Sequence, residues 1–230
     1  MNCALKTDGA VVLRKCLSDT DLASIDSTLA KEWKAFSVDS PYTDSCAEFA
    51  QKNPKIVSEI YDRVADLPEA ISLAKSRPIK NFVLNSLGQE AKIYTKVPLR
   101  IDVPLETKEL AVWHQDDFYV QGAPNEVIAW IPLQDTPMQM GALSVMKGSH
   151  LKGKLDHNFQ WGKKFMPSGA YDLPIQIVEM IRGDILFFDS FLLHTSNINF
   201  SKNIRYSLQI RFTSKQLGRP SSIMGELNEF

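Results

Sequence analysis

Cysteine is scarce in this chain of 230 residues: Cys3, Cys16 and Cys46 are the only three, all in the first fifth. An odd number without regular spacing argues against a disulfide framework, and no Cys-x-x-Cys pair offers a zinc site. All three are expected to be small core residues. Net charge is also missing, at −1 from 26 basic and 27 acidic residues. A balanced chain without a basic run gives no electrostatic reason to expect nucleic acid or an anionic membrane as partner. No stretch approaches 18 uncharged apolar residues, so no membrane span is expected. Met1 to Gly9 lacks the apolar core of a secretory signal. With the unpaired thiols, this predicts a cytoplasmic location. Repeats and low-complexity tracts are absent, and nothing in the sequence speaks to oligomeric state.

What is present is ordinary globular material, 44% hydrophobic and 23% charged, read as one domain over 1–230. The first 80 residues are mainly helical in pattern. Ser18 or Asp19 can cap a helix through Leu22, Ile25, Leu29 and Trp33, and a second helical region over 46–74 is divided by Pro54 and Pro68. From 81 to 213 short β-like runs dominate, at 91–95, 99–103, 110–113, 127–133, 143–146, 175–180, 184–188 and 204–213, followed by a tail over 214–230. Turn signals such as Gly122-Ala-Pro124 and Gly183-Asp184 separate them. The expected fold is mainly β with flanking helices: a double-sheet jelly roll of cupin type behind an N-terminal helical region. Residues 152–174 read as a long loop, a candidate lid.

The chemistry concentrates in few residues. Trp113-His114-Gln115-Asp116-Asp117 contains a His-x-Asp, and His194 stands eleven residues before Arg205. A bare His-x-acid is weak: four histidines and 27 acids in 230 residues would produce one roughly 0.5 times by chance. In extended backbone, however, residues i and i+2 point the same way, so His114 and Asp116 would offer two ligand atoms to one metal. Two imidazoles and a carboxylate on one face of Fe(II) leave open positions for oxygen chemistry. The last strand alternates Ile204, Tyr206, Leu208, Ile210 and Phe212 on one face with Arg205, Ser207, Gln209 and Arg211 on the other. The apolar face should pack on helices or core; the polar face should meet either bulk water or a solvated cavity.

Other polar residues carry weaker expectations. His150 reads as a turn or supporting residue, and His157 as solvated. Arg100 and Asp102 could form a plain ion pair or face the cavity. Asp117 should point away from Asp116, onto the surface or a substrate rim.

Several segments, in this order, resemble the phytanoyl-CoA dioxygenase family of Fe(II)/2-oxoglutarate oxygenases. They are Trp-His-Gln-Asp at 113–116, Ala-Trp-Ile-Pro-Leu at 129–133, Gly-Ala-Leu-Ser-Val-Met-Lys-Gly-Ser-His at 141–150, Gly-Asp-Ile-Leu-Phe-Phe-Asp at 183–189, and His-Thr-Ser-Asn at 194–197 followed by Arg205. Met140 and Lys147 stand where the family often has Asn and Pro. The resemblance implies a double-stranded β-helix, iron held by His114, Asp116 and His194, and Arg205 with Ser196 on the distal carboxylate of 2-oxoglutarate. It places Trp130 beside that co-substrate. It implies a dioxygenase that uses O2, releases succinate and CO2, and hydroxylates or otherwise oxidises a small molecule. Related halogenases have Ala or Gly where this chain has Asp116, so halogenation is not expected. Two alternatives stay open: a non-catalytic cupin-like protein that binds metal or a small acid, and an interaction module whose His-x-Asp is accidental. Succinate formation from 2-oxoglutarate separates the first from an enzyme, and metal content separates the second.

Overall fold

The computed structural model describes residues 3–65, 67–107, 112–120, 126–159, 165–167, 172–214 and 227–229. A short helix α1 (Cys3–Thr7) and strand β1 (Ala10–Leu13) precede a helical layer of α2 (Asp19–Lys34), α3 (Asp44–Lys52), α4 (Pro54–Arg63), α5 (Pro68–Ala74) and α6 (Arg77–Leu87). Then come β2 (Lys92–Tyr94), β3 (Leu99–Asp102), α7 (Asp116–Val120), β4 (Val127–Pro132), β5 (Leu143–Met146), β6 (His157–Phe159), β7 (Phe165–Pro167), β8 (Ile175–Val178), β9 (Ile185–Asp189), β10 (His194–Thr195), β11 (Arg205–Thr213) and β12 (Leu227–Glu229).

Local chemistry sets the helix boundaries. Ser18 caps α2 and Asp21 bonds back to it, a reciprocal capping box, with acids in the first turn and Lys31 and Lys34 in the last. Pro54, Pro68 and Pro78 stand in the first turns of α4, α5 and α6, where a missing N–H costs nothing. The helical run continues to Leu87, past the change of pattern near residue 80, because Ile79, Phe82, Val83 and Ser86 bury one face of α6. Gly88, at φ 93°, ends it. β1 was not expected in the helical flank; its Val11 and Leu13 pack on the core while Ala10–Leu13 pairs with Phe188–Ile185 of β9.

Two antiparallel sheets face each other. The larger runs β1-β9-β4-β11-β2-β12, with β3 also on β11, and the smaller runs β10-β5-β8. This is the expected jelly roll. β11 is long enough to pair fully with β4 on one side and with both β3 and β2 on the other. Its apolar face, Tyr206, Leu208, Ile210 and Phe212, joins Leu99, Ala129, Ile131 and Phe187 against Leu22, Ile25, Leu29, Trp33 and Phe82 of the helical layer. Phe82 stacks on Phe187 with centroids 3.9 Å apart. Each such side chain fully buried contributes about 1.5–3 kcal/mol. Between the sheets lies a second apolar cluster of Ile128, Trp130, Leu143, Val145, Val178, Leu186 and Phe188. The polar face of β11 turns into this inter-sheet space: Arg205, Ser207 and Arg211 are buried, and Gln209 is half-buried.

The stretch over 152–174 is not a plain loop. β6 and β7 form a hairpin within it, and residues 160–164 and 168–171 lie outside the described residues. The turn signal at 122–124 also lies outside them. Among the described residues no helix is long and apolar enough to cross a membrane.

Candidate metal centre

His114 and His194 are joined through their backbones. Each donates its N–H to the other's carbonyl, at 3.0 and 3.1 Å, as an isolated antiparallel bridge. Residues directly opposite in an antiparallel pair project to the same side. The two imidazoles therefore meet, with centroids 4.2 Å apart. His194 also pairs with Val145, so β5 fixes it from the far side. The strand expected over 110–113 is not what positions this segment: Leu110 and Ala111 lie outside the described residues, and Val112 and Trp113 are not strand. Nor do His114 and Asp116 share extended backbone. Asp116 opens the short helix α7, and its turn back toward His114 does the work expected of strand alternation.

The three side chains converge. Asp116 Oδ1 lies 3.4 Å from His114 Nε2 and 3.6 Å from His194 Nε2. One ligand atom from each falls within 4.8 Å of the others, and all three residues are buried. His114 Nδ1 lies 2.6 Å from the Val112 carbonyl, and His194 Nδ1 lies 3.0 Å from that of Leu192. A carbonyl only accepts, so both Nδ1 atoms carry a proton, and the two Nε2 atoms are the ring nitrogens turned toward Asp116. Burial, with His114 beside it, pushes His194 down to about 4, so it is a neutral imidazole at pH 7. Burial alone would raise Asp116. Arg211 and the two histidines outweigh it and hold the carboxyl far below the usual range, so Asp116 is ionised. Two ligands at a right angle on bonds of about 2.1 Å lie roughly 3 Å apart. Two imidazole nitrogens and one carboxylate oxygen at these separations fit a divalent transition metal such as Fe(II).

At the other end of β11, Arg205 is 1% exposed. Its Nη2 lies 2.8 Å from Asp102 Oδ2, its Nη1 donates to the Gly141 carbonyl, and Nε has no hydrogen-bond partner among the described residues. The guanidinium stands 6.0 Å from the Trp130 ring. Asp102 also takes Arg100 Nη2 at 3.1 Å, so Arg100 and Asp102 form an ion pair and engage Arg205 as well. Burial would raise Asp102, but the two guanidiniums hold it below its ordinary value. Ser196 is half-buried just past His194, and among the described residues no contact joins it to Arg205.

Residues 5–207 match the family model for phytanoyl-CoA dioxygenase (PhyH). The chain belongs to that family. Among curated PhyH-like relatives, the 1-deoxypentalenic acid 11-beta-hydroxylase of Streptomyces exfoliatus is 32% identical over 118 residues, 46% of this chain and 42% of that protein. The peroxisomal phytanoyl-CoA dioxygenase of Bos taurus is 26% identical over 230 aligned residues, 89% of this chain and 65% of that one. The chain thus spans less than two thirds of the length of either relative. Of solved structures, the epimerase SnoN from nogalamycin biosynthesis, in complex with Fe3+, alpha ketoglutarate and nogalamycin RO, superposes with a TM-score of 0.61 at 19% identity, over 95% of this chain and 84% of that one. At that identity the likeness shows the fold.

The remaining neighbours of this PhyH-family centre depart from the sequence expectations. His157 is not a solvated residue. It is half-buried, stacks on Phe118 at 4.3 Å, and its Nε2 accepts the Gln115 N–H at 3.1 Å. Asp117 is neither surface nor rim. It is buried and meets Lys154 Nζ at 2.9 Å. His150 sits away from the centre with Nε2 3.0 Å from the Lys6 carbonyl, which fits a structural residue.

Three residues of consequence went unassigned in the sequence. Gln115, fully buried between two of the three converging residues, donates to the carbonyls of Gly153 (2.8 Å) and Phe191 (2.7 Å) and accepts from Leu155 N–H (2.8 Å). Gln209 donates to Asp116 Oδ2 at 2.7 Å. Arg211 reaches the same oxygen with Nε at 3.1 Å and Nη2 at 2.9 Å. The alternation that put Gln209 and Arg211 on the face of Arg205 was the available signal; Gln115 stood inside the Trp-His-Gln-Asp segment with no role attached to it.

Proposed function

We propose that this chain is an Fe(II)- and 2-oxoglutarate-dependent dioxygenase that hydroxylates or otherwise oxidises a small molecule, consuming O2 and releasing succinate and CO2. One observation carries the reading: both Nδ1 atoms are spent on backbone carbonyls and Asp116 Oδ2 on β11, which leaves two Nε2 atoms and Oδ1 free toward one point. His114, Asp116 and His194 are the metal ligands on this reading. The relatives and SnoN, whose structure holds Fe3+ and alpha ketoglutarate, support it.

The bound metal and 2-oxo acid supply the oxidising chemistry. The protein supplies position and dryness. Arg205 holds the distal carboxylate of the co-substrate, with Trp130 as wall and Ser196 as a further hydroxyl. Arg205 lies four residues from Gln209 along β11, roughly 13 Å of strand rise that its own side chain shortens. The cluster from Ile128 to Phe188 lines the inter-sheet space and excludes water. Asp116 occupies a ligand position that a halide would need, so the product carries no halogen. The three free thiols support a reducing compartment, and we place the reaction in the cytoplasm.

One observation favours the second reading, a protein that binds metal or a small acid without turnover. Arg205 already faces Asp102 and the Gly141 carbonyl, so its fork is engaged before any acid arrives. Succinate formation from 2-oxoglutarate under air, with Fe(II) added, decides between the two. For the ligands, anaerobic Fe(II) titration should give one equivalent in wild type and severely weakened binding in His114→Ala, Asp116→Ala and His194→Ala. Undiminished affinity in all three variants would overturn the assignment.

A further inference from the structure

The three donors on Asp116 are distributed in one way only. Gln209 Nε2, Arg211 Nε and Arg211 Nη2, at 2.7, 3.1 and 2.9 Å, all address Oδ2. The other oxygen, Oδ1, is the one that faces both imidazoles. Three donors exceed the two lone-pair sites of one carboxylate oxygen, so for Oδ2 also to reach the metal ion at least one of them would have to give way, in a site where Asp116 and Arg211 are buried. Bonds between charged partners in such surroundings are the strong ones. The donors are also stiffly held: Gln209 and Arg211 stand opposite Trp130 and Ile128 of β4 in the middle of the larger sheet.

We propose that Arg211 and Gln209 are positioning residues that keep Asp116 a one-oxygen ligand, and so preserve the open metal positions that co-substrate and oxygen require. The proposal rests on the metal-centre reading above. A carboxylate that chelates through both oxygens takes one of those positions itself. Among the described residues no other guanidinium meets Asp116, and Arg205 and Arg100 are committed to Asp102 at the other end of the strand.

The alternative is that the pair only orients the ligand or neutralises a buried charge. The two roles separate in the measurements. Losing a partner that merely orients a ligand typically weakens metal binding about 10–100-fold. Losing one that blocks the second oxygen leaves metal affinity intact and weakens the co-substrate. The test uses Co(II) as the probe, by calorimetry and visible absorption, on wild type, Gln209→Leu, Arg211→Met, the double variant and Arg211→Lys. Arg211→Met and the double variant should bind Co(II) within about threefold of wild type, while 2-oxoglutarate affinity of the Co(II)-loaded protein falls about tenfold and the Co(II) absorption changes in the absence of co-substrate. Arg211→Lys, which still donates to Oδ2, should recover most of both. Gln209→Leu leaves the ion pair and should shift the same readouts in the same direction by less, so it carries the test if the others do not fold. Wild-type 2-oxoglutarate affinity and an unchanged Co(II) spectrum in any folded Arg211→Met or double variant would overturn the proposal. So would weakened Co(II) binding with unchanged co-substrate affinity at saturating Co(II). If only Gln209→Leu folds, unchanged readouts there overturn it as well. Failure of wild type itself to bind Co(II) would instead remove the metal-centre reading.

Discussion

Replacing Gln115 should damage the molecule in an order that shape alone does not predict. Its amide makes three hydrogen bonds with full burial: two donated to the Gly153 and Phe191 carbonyls and one accepted from Leu155 N–H. The orientation of the amide follows from its partners, because the flipped form would set its oxygen against two carbonyls. Gln115→Leu removes all three bonds, at about 1 kcal/mol each, or roughly 3 kcal/mol in sum. For a chain of this size that lowers the melting temperature by roughly 6–12 °C. Gln115→Glu matches the native shape better and keeps the bond from Leu155 N–H. It nevertheless puts a carboxylate oxygen where Nε2 faced two carbonyls at 2.8 and 2.7 Å. A buried charge with a single N–H donor and its other oxygen set against two carbonyls costs several kcal/mol. At pH 7 the near-isosteric variant should therefore melt below Gln115→Leu. Thermal unfolding followed by circular dichroism reads the order. Limited proteolysis should find 153–159 cut first in both variants, since the Gln115 side chain holds Gly153 and Leu155 to the turn that carries Asp116. A Gln115→Glu protein that melts at or above the temperature of Gln115→Leu would refute the reasoning.

Arg205→Ala should weaken 2-oxoglutarate by about 2 kcal/mol, roughly thirtyfold, with Fe(II) affinity little changed, and Arg205→Lys should recover only part because a point charge cannot reproduce the fork; equal co-substrate affinity in wild type and Arg205→Ala by calorimetry would exclude the clamp. Gly141→Ala should destabilise by at least about 1–2 kcal/mol from its left-handed backbone alone, φ 80°. Its Cβ would also stand 2.5 Å from the Asn197 carbonyl and 3.1 Å from Arg205 Nη1, so co-substrate binding should suffer with stability, which denaturant unfolding and calorimetry together measure. Wild type supplied with Fe(II), 2-oxoglutarate, oxygen and its substrate should give halogen-free product at any chloride concentration; a chlorinated product by mass spectrometry would contradict the assignment of Asp116.

Regular elements were legible wherever periodicity and burial agreed. α2 reads off Leu22, Ile25, Leu29 and Trp33 because one face of one helix meets one sheet. β11 reads off strict alternation because its two faces meet different surroundings, helices on one side and the inter-sheet space on the other. β1 escaped notice because Ala10–Leu13 is four residues long and owes its conformation to β9, a partner some 175 residues away. At the centre, the identities of His114, Asp116 and His194 were visible, and their convergence came about by a route the sequence did not reveal. The His114–His194 backbone bridge is a tertiary pairing, and Asp116 is turned by α7 rather than by strand alternation. His157 and Asp117 look like solvated loop residues by composition; the docking of 153–159 onto Gln115 buries them, and only long-range contacts report that.

β11 is made after β2, β3 and β4 yet occupies the interior of their sheet. Until Thr213 has left the ribosome, β4 on one side and β2 and β3 on the other have no strand between them. The nascent chain at that stage already contains both histidines and Asp116, but neither Gln209 nor Arg211. Its carboxylate has two unclaimed oxygens, so a metal captured early would meet a different ligand from the one in the finished protein. Closure of the sheet joins segments about a hundred residues apart, the kind of pairing that makes folding slow and leaves strand edges exposed meanwhile. If Arg211 and Gln209 play the positioning role proposed for them, metal loaded after the insertion of β11, rather than before it, is the order that yields one-oxygen coordination by Asp116.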